Sequence, residues 1–150
     1  MPDAKILCMI GASNFLKFLA KGLRRDFGKY HSYMFVPVLK KFKEKKVNVV
    51  EALCNCLDAM AITIMLSDLA EDIVTFSKHK NPQVKDQTMK FLVRCLWNTE
   101  NQIPKTEVKS FLGVMLGRLE DAVVPVREAS AEGFGTLMKL VEKATFASII

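Results

Sequence analysis

Four cysteines, two histidines and sixteen carboxylates are the raw material for any metal centre or catalytic site in this 150-residue chain. None is spaced for the task. Cys54 and Cys56 stand two apart, so on a helix their thiols point in different directions. Neither His31 nor His79 is near that pair in sequence. Cys8 and Cys95 sit singly inside apolar helical patterns, so zinc is not expected and all four thiols read as buried and reduced. A Gly-rich phosphate loop, HExxH, a nucleophile elbow and a paired-carboxylate constellation are all missing. Asp58, Asp68, Glu71, Asp72, Glu120 and Asp121 are spread as on a solvated helix face. The sequence points away from an enzyme, and calls for no cofactor or metal.

The charged residues that do recur are cations. Three stretches align without gaps: "KKVNVVEALCNCLDAMA" from Lys45, "KNPQVKDQTMKFLVRCL" from Lys80 and "AVVPVREASAEGFGTLM" from Ala122. Val49, Val84 and Val126 share a column, and the next column reads Val50, Lys85, Arg127. The column after that is acidic: Glu51, Asp86, Glu128. Lys45, Lys46, Lys80, Lys85 and Arg127 fall at or beside the start of each stretch. A basic row of this kind suits an acidic partner, giving steering and register more than raw affinity. The net charge of +6 is compatible with that.

The elements that must carry this row are helices. Each aligned stretch follows an amphipathic segment. The first covers about 30–42, with Tyr33, Val36, Val38, Leu39 and Phe42 apolar. The second covers about 67–78, with Leu69, Ile73, Val74 and Phe76. The third starts near Pro104, with Val108, Phe111, Leu112, Met115, Leu116 and Leu119. The spacings mix three and four, as on a core-facing helix, and no period-two alternation is sustained. The predicted class is all-α, a solenoid of helix–turn–helix units at about 30–63, 67–98 and 104–141, spaced by 35 and 42 residues within one domain over 1–150. Residues 12–27 read as a second helix lacking its first. "EKATFASII" reads as the entry to a further repeat.

Helix pairs with Pro and then Val-Arg or Val-Lys opening the second helix resemble HEAT repeats. More narrowly, "LAKGLRRDFGKY", "VPVLKKFKEKKVNVVEAL", "SKHKNPQVKDQTMKFLVR" and "VVPVREASAEGFGTLMK" resemble a TOG domain of the microtubule polymerase family, most of all the second domain of its array. The likeness runs from about residue 16 to 146. It implies a flat paddle of HEAT repeats that binds the αβ-tubulin dimer or a microtubule end, without catalysis, through the turns inside each pair. It further implies a cytoplasmic location on microtubules, the centrosome or the spindle pole. Carried over, the contact residues are Lys45, Lys46, Lys80, Asn81, Lys85 and Arg127, in the third to fifth turns of such a paddle. The family's first-turn Trp and second-turn apolar contact would precede residue 1. Trp97 ends a second helix and is not that Trp.

Each residue also has a plainer reading. Arg127 can hydrogen-bond within its own repeat. Lys45 and Lys46 end the run "KKFKEKK", where cations suit a helix C-terminus. Asn81 can cap the helix that Pro82 opens. His79 reads as a polar turn residue. Phe15, Phe18, Phe27, Phe42, Phe76, Phe91, Phe111 and Phe134 read as core, and Gly113, Gly117, Gly133 and Gly135 as points of close helix approach. The alternative function is a generic HEAT scaffold or transport adaptor binding peptides on its helix face. Nucleic acid ranks lower, because the turns lack aromatic residues for stacking on bases. A membrane partner is not expected, since no apolar stretch reaches about 18 residues. Nor is a secretory signal, with Asp3 where a positive charge belongs.

Overall fold

The computed structural model describes residues 4–23, 26, 29–99 and 103–149, with side chains as far as 143. Phe27 lies outside the described residues. Seven helices make up the described secondary structure: α1 (Ala4–Leu23), α2 (His31–Lys41), α3 (Val47–Thr63), α4 (Leu66–Phe76), α5 (Pro82–Trp97), α6 (Lys105–Arg118) and α7 (Val124–Ile149). No strand occurs among these residues, and the class is an α-solenoid of helical repeats. The chain divides into two compact units, Met1–Leu69 and Ala70–Ile150.

In the first unit α1 packs along α3, and α2 packs on α3 as well. Helix α3 buries Val49, Ala52, Leu53, Cys56, Leu57, Ala59 and Met60, a stripe of three- and four-residue steps. From α2 the core receives Phe35, Val38 and Leu39, joined by Phe42 just past its end. Phe35 rather than Tyr33 takes the central place. Tyr33 is 78% exposed, because two residues on a helix are separated by more than half a turn. Helix α1 buries only Ile6, Ser13 and Ala20, seven apart and so on one narrow face. The buried Ser13 hydroxyl donates to the Met9 carbonyl at 2.8 Å, so its burial leaves no orphan donor.

The opposite face of α1 corrects two expectations. Phe15 and Phe18 are 64% and 66% exposed, with Leu7 and Leu23 also exposed. Helical spacing shows that a face is apolar but not that anything covers it. With a mean hydropathy of 1.4 over an 18-residue window, α1 is also long and apolar enough, by length and composition alone, to cross a membrane. Its few lysines do not lower that average enough to exclude it.

In the second unit α5 and α6 both pack against α7. Their shared core contains Val84, Met89, Phe91, Leu92, Val93, Leu96, Phe111, Val114, Met115, Val126 and Leu137. The tightest approach is at Gly133. A methyl group there would sit 2.9 Å from Met115 Cε and 3.2 Å from Val93 Cγ2. Gly113, Gly117 and Gly135 have open space at the same position, so close approach accounts for only one of the four glycines. Helix α7 also runs unbroken to Ile149. The stretch expected to open another repeat is its continuation, since residues 136–149 contain no Gly or Pro to stop it.

Cys56 is buried, Cys54 and Cys95 are partly so, and Cys8 is exposed. Burial pushes the Cys56 thiol up to about 11, against a smaller downward pull from the Lys17 charge. Alkylation with iodoacetamide at pH 8 is therefore expected to label Cys8 and spare Cys56 in the folded chain, as peptide mass spectrometry would report. A second expectation concerns the glycines. Gly135→Ala should stabilise by roughly 0.5–1 kcal/mol through helix propensity. Gly133→Val should cost about 1–3 kcal/mol by overpacking against Met115 and Val93. Urea denaturation followed by circular dichroism separates the two.

Candidate interaction surface at the helix turns

The turns inside the three helix pairs are residues 42–46, 77–81 and 119–123, five in each case. Equal length follows from equal construction. Each turn leaves its first helix through backbone bonds of the kind that tighten a helix end, such as Glu44 N–H to Lys41 at 3.0 Å, His79 N–H to Phe76 at 3.1 Å and Asp121 N–H to Arg118 at 3.1 Å. Each then enters the second helix at Val47, Pro82 or Val124.

In the 42–46 turn Lys45 and Lys46 are exposed. Lys46 holds the N-cap position in extended backbone (φ −68°, ψ 127°) without a side-chain cap. Asn48 supplies part of the missing function, its Oδ1 accepting from Val49 N–H at 3.0 Å. No ion pair among the described residues claims either lysine.

The 77–81 turn is held more firmly. Asn81 Oδ1 accepts from Gln83 N–H at 3.0 Å and Val84 N–H at 3.2 Å, and Pro82 follows at the position that needs no donor. Asn81 N–H in turn donates to His79 Nδ1 at 3.0 Å, and the His79 ring stacks on Phe76 at 5.6 Å between centroids. His79 is thus a brace, whereas its sequence suggested only a polar turn residue. Lys80, between His79 and Asn81, is exposed. The Asn81 side chain is committed to the helix N-terminus.

The 119–123 turn holds a residue that sequence reasoning passed over. Asp121 is buried, its side chain only 4% exposed. Its Oδ2 lies 2.7 Å from Lys85 Nζ and 3.2 Å from Arg118 Nη1, and its Oδ1 accepts from Val123 N–H at 3.0 Å. Its main-chain carbonyl accepts from Arg127 Nη1 at 2.6 Å. Burial alone would raise the Asp121 carboxyl pKa. The hydrogen bonds from Lys85 and Val123, with the charges of Lys85 and Arg118, outweigh it and hold the pKa below its ordinary 3.8. The sequence alone groups Asp121 with carboxylates on a solvated face. The available signal was its place three residues before α7 begins, where an aspartate side chain can take the backbone N–H two residues on.

This node changes the standing of two aligned cations. Lys85 was expected in the basic row. Its side chain is 14% exposed and its ammonium is paired internally with Asp121, because α5 brings it against the next turn. Arg127 is half-buried and anchored on a carbonyl, with no carboxylate partner among the described residues. Lys45, Lys46 and Lys80 are the expected cations that remain fully at the surface. No group of three His, Cys, Asp or Glu side chains among the described residues could hold a metal ion.

No family model matches the chain. The "Spindle pole body component alp14" of Schizosaccharomyces pombe is 40% identical over 139 residues, which is 93% of this chain and 17% of that relative. The chain thus spans less than a fifth of that relative's length. A solved structure described as "Structural Basis of Microtubule Plus End Tracking by XMAP215, CLIP-170 and EB1" superposes with a TM-score of 0.86 at 37% identity, covering 93% of this chain and 58% of the other. A second, "Structural Basis of Tubulin Recruitment and Assembly by Microtubule Polymerases with Tumor Overexpressed Gene (TOG) Domain Arrays", gives 0.82 at 34% identity, covering 93% and 30%.

The buried carboxylate makes the second unit sensitive to acid. Its folded-state pKa lies below the unfolded value, so the stabilisation is complete above the ordinary 3.8 and is lost as pH falls through the depressed value. Asp121→Ala should cost about 2–3 kcal/mol at neutral pH by orphaning Lys85, which keeps some contact with water. It should also flatten the acid limb of stability against pH, as thermal melts between pH 2 and 7 would show.

Proposed function

The chain belongs to the TOG-domain family of microtubule polymerases, and on that premise we propose that it is a non-enzymatic tubulin-binding module. It engages the acidic surface of the αβ-tubulin dimer through the turns inside its helix pairs. The observation that carries this reading is the exposed lysine content of two turns of equal length, Lys45 and Lys46 in one and Lys80 in the other. Long flexible cations on short turns between packed helices lose little backbone freedom when they meet a carboxylate-rich partner.

The residues divide the work. Lys45, Lys46 and Lys80 supply charge to the encounter. Arg127 adds a planar guanidinium able to pair with a carboxylate in two-pronged fashion. Asn81 contributes by fixing the turn from which Lys80 projects, and Lys85 by anchoring α5 to the 119–123 turn. Within a longer protein, capture of tubulin dimers by such a module would support microtubule growth and the organisation of the spindle and cytoskeleton. The names of the similar proteins, a spindle pole body component and microtubule polymerases with TOG arrays, support that setting.

Gel filtration of the chain with αβ-tubulin, backed by fluorescence titration, tests the proposal. Wild type should co-elute with tubulin. The Lys45→Ala/Lys46→Ala/Lys80→Ala variant should bind about tenfold more weakly or worse, chiefly through slower association. Affinity of the wild type should fall as salt rises from 50 to 200 mM, and that of the variant should fall less. A wild-type chain that leaves tubulin's elution unchanged at micromolar concentrations sinks the idea.

A further inference from the structure

Lys85 and Arg127 share a column of the repeat, each one residue past the valine that opens its helix to the core. Equivalent position would suggest equivalent use. The structure separates them. Asp121 meets Lys85 with its carboxylate and Arg127 with its main-chain carbonyl. The first contact neutralises a charge. The second holds a guanidinium in place while leaving its charge uncompensated, because a carbonyl is a dipole and not an anion. A carboxylate so heavily supplied with donors (Lys85, Arg118 and the Val123 N–H) also fixes the backbone on which that carbonyl sits.

Resting on the tubulin-binding reading above, we propose that Asp121 is a positioning residue for the partner contact, presenting Arg127 to tubulin and withholding Lys85 from it. Asp121 is buried, so it touches no partner itself. It acts through the turn 119–123, whose conformation the Oδ1 bond to Val123 sets just before α7 starts. One of the five guanidinium N–H groups of Arg127 is committed to the Asp121 carbonyl, which fixes the side chain's rotamer in advance and leaves the other donors for a carboxylate. Ordering a long side chain before binding spares the cost of ordering it at the interface.

Electrostatics alone predicts the opposite of this proposal. Removing an acidic residue from a basic surface raises the net charge by one and should strengthen binding to an acidic partner. If Asp121 positions Arg127, its removal weakens binding despite the added positive charge. The experiment is a double-mutant cycle on the 150-residue chain, with αβ-tubulin as the probe and affinity as the readout. Asp121→Ala, which removes the Oδ1 acceptor of the Val123 N–H together with the carboxylate, should weaken binding about five- to tenfold in the wild-type background. It should change binding by less than about twofold where Arg127→Ala is already present. Helicity and melting temperature are recorded for every variant at the titration temperature. If Asp121→Ala fails to fold because Lys85 is left unpaired, Asp121→Ala/Lys85→Gln, which removes both halves of the ion pair, replaces it in the same cycle.

Equal losses in the two backgrounds overturn the proposal, since they show an effect that does not pass through Arg127. So does binding by Asp121→Ala that is unchanged or tighter. In either case wild-type binding still stands, and the tubulin reading stands with it. A wild-type chain that does not bind tubulin overturns both.

Discussion

A carboxylate out of water is the constraint around which the second unit is arranged. Moving a charged group into the protein interior costs several kcal/mol unless donors and opposite charges surround it. Asp121 has them from three places in the chain: Lys85 at the start of α5, Arg118 at the end of α6, and the Val123 N–H before α7. The requirement works in both directions. The donors make the burial tolerable, and the need for donors ties the start of the second helix of one pair to the turn of the next. Apolar contacts such as Met115 and Val93 on Gly133 set how closely the helices lie. They are non-directional and would accept small slides that a 2.7 Å ion pair does not.

The tie also sorts surface charge. A count of lysines and arginines in the turns treats each as available to a partner. In the folded chain Lys85 is cancelled by Asp121, Arg127 is anchored but unpaired, and Lys45, Lys46 and Lys80 extend into solvent. The same turns differ in stiffness. Asn81 and Asp121 each take a backbone N–H two residues on, which braces the second and third turns, whereas in the first Asn48 takes the N–H of the next residue, Val49.

Much of this was legible beforehand, and the illegible parts have physical reasons. Helix pairs could be read because a core-facing stripe imprints its period on the sequence, as in Val49, Leu53, Leu57 and Met60 of α3. The role of Asn81 could be read because capping is local, set by residues two and three positions ahead. Asp121 could not, since its burial depends on Lys85, 36 residues earlier and in another hairpin. Phe15 and Phe18 were misread for a related reason. A stripe declares which residues share a face, while burial requires a second surface that the period does not encode. Gly113, Gly117 and Gly135 were over-interpreted because glycine's absence of a side chain signals close approach only where a neighbour arrives, as Met115 does at Gly133.

The corners within the helix pairs are all five residues long, whereas the links that follow α3 and α5 differ: residues 64–65 in one case and 98–104 in the other. Variation in length is thus confined to one type of junction. A deletion or duplication between α5 and α6 alters the length of chain between two pairs, but the same event at 119–123 would move Asp121 relative to its salt-bridge partners. Over generations, lineages of this module should accumulate indels at the inter-pair links and amino-acid exchanges, at fixed length, in the corners. That would leave the corners as cassettes whose chemistry can be rewritten without disturbing the helices they join.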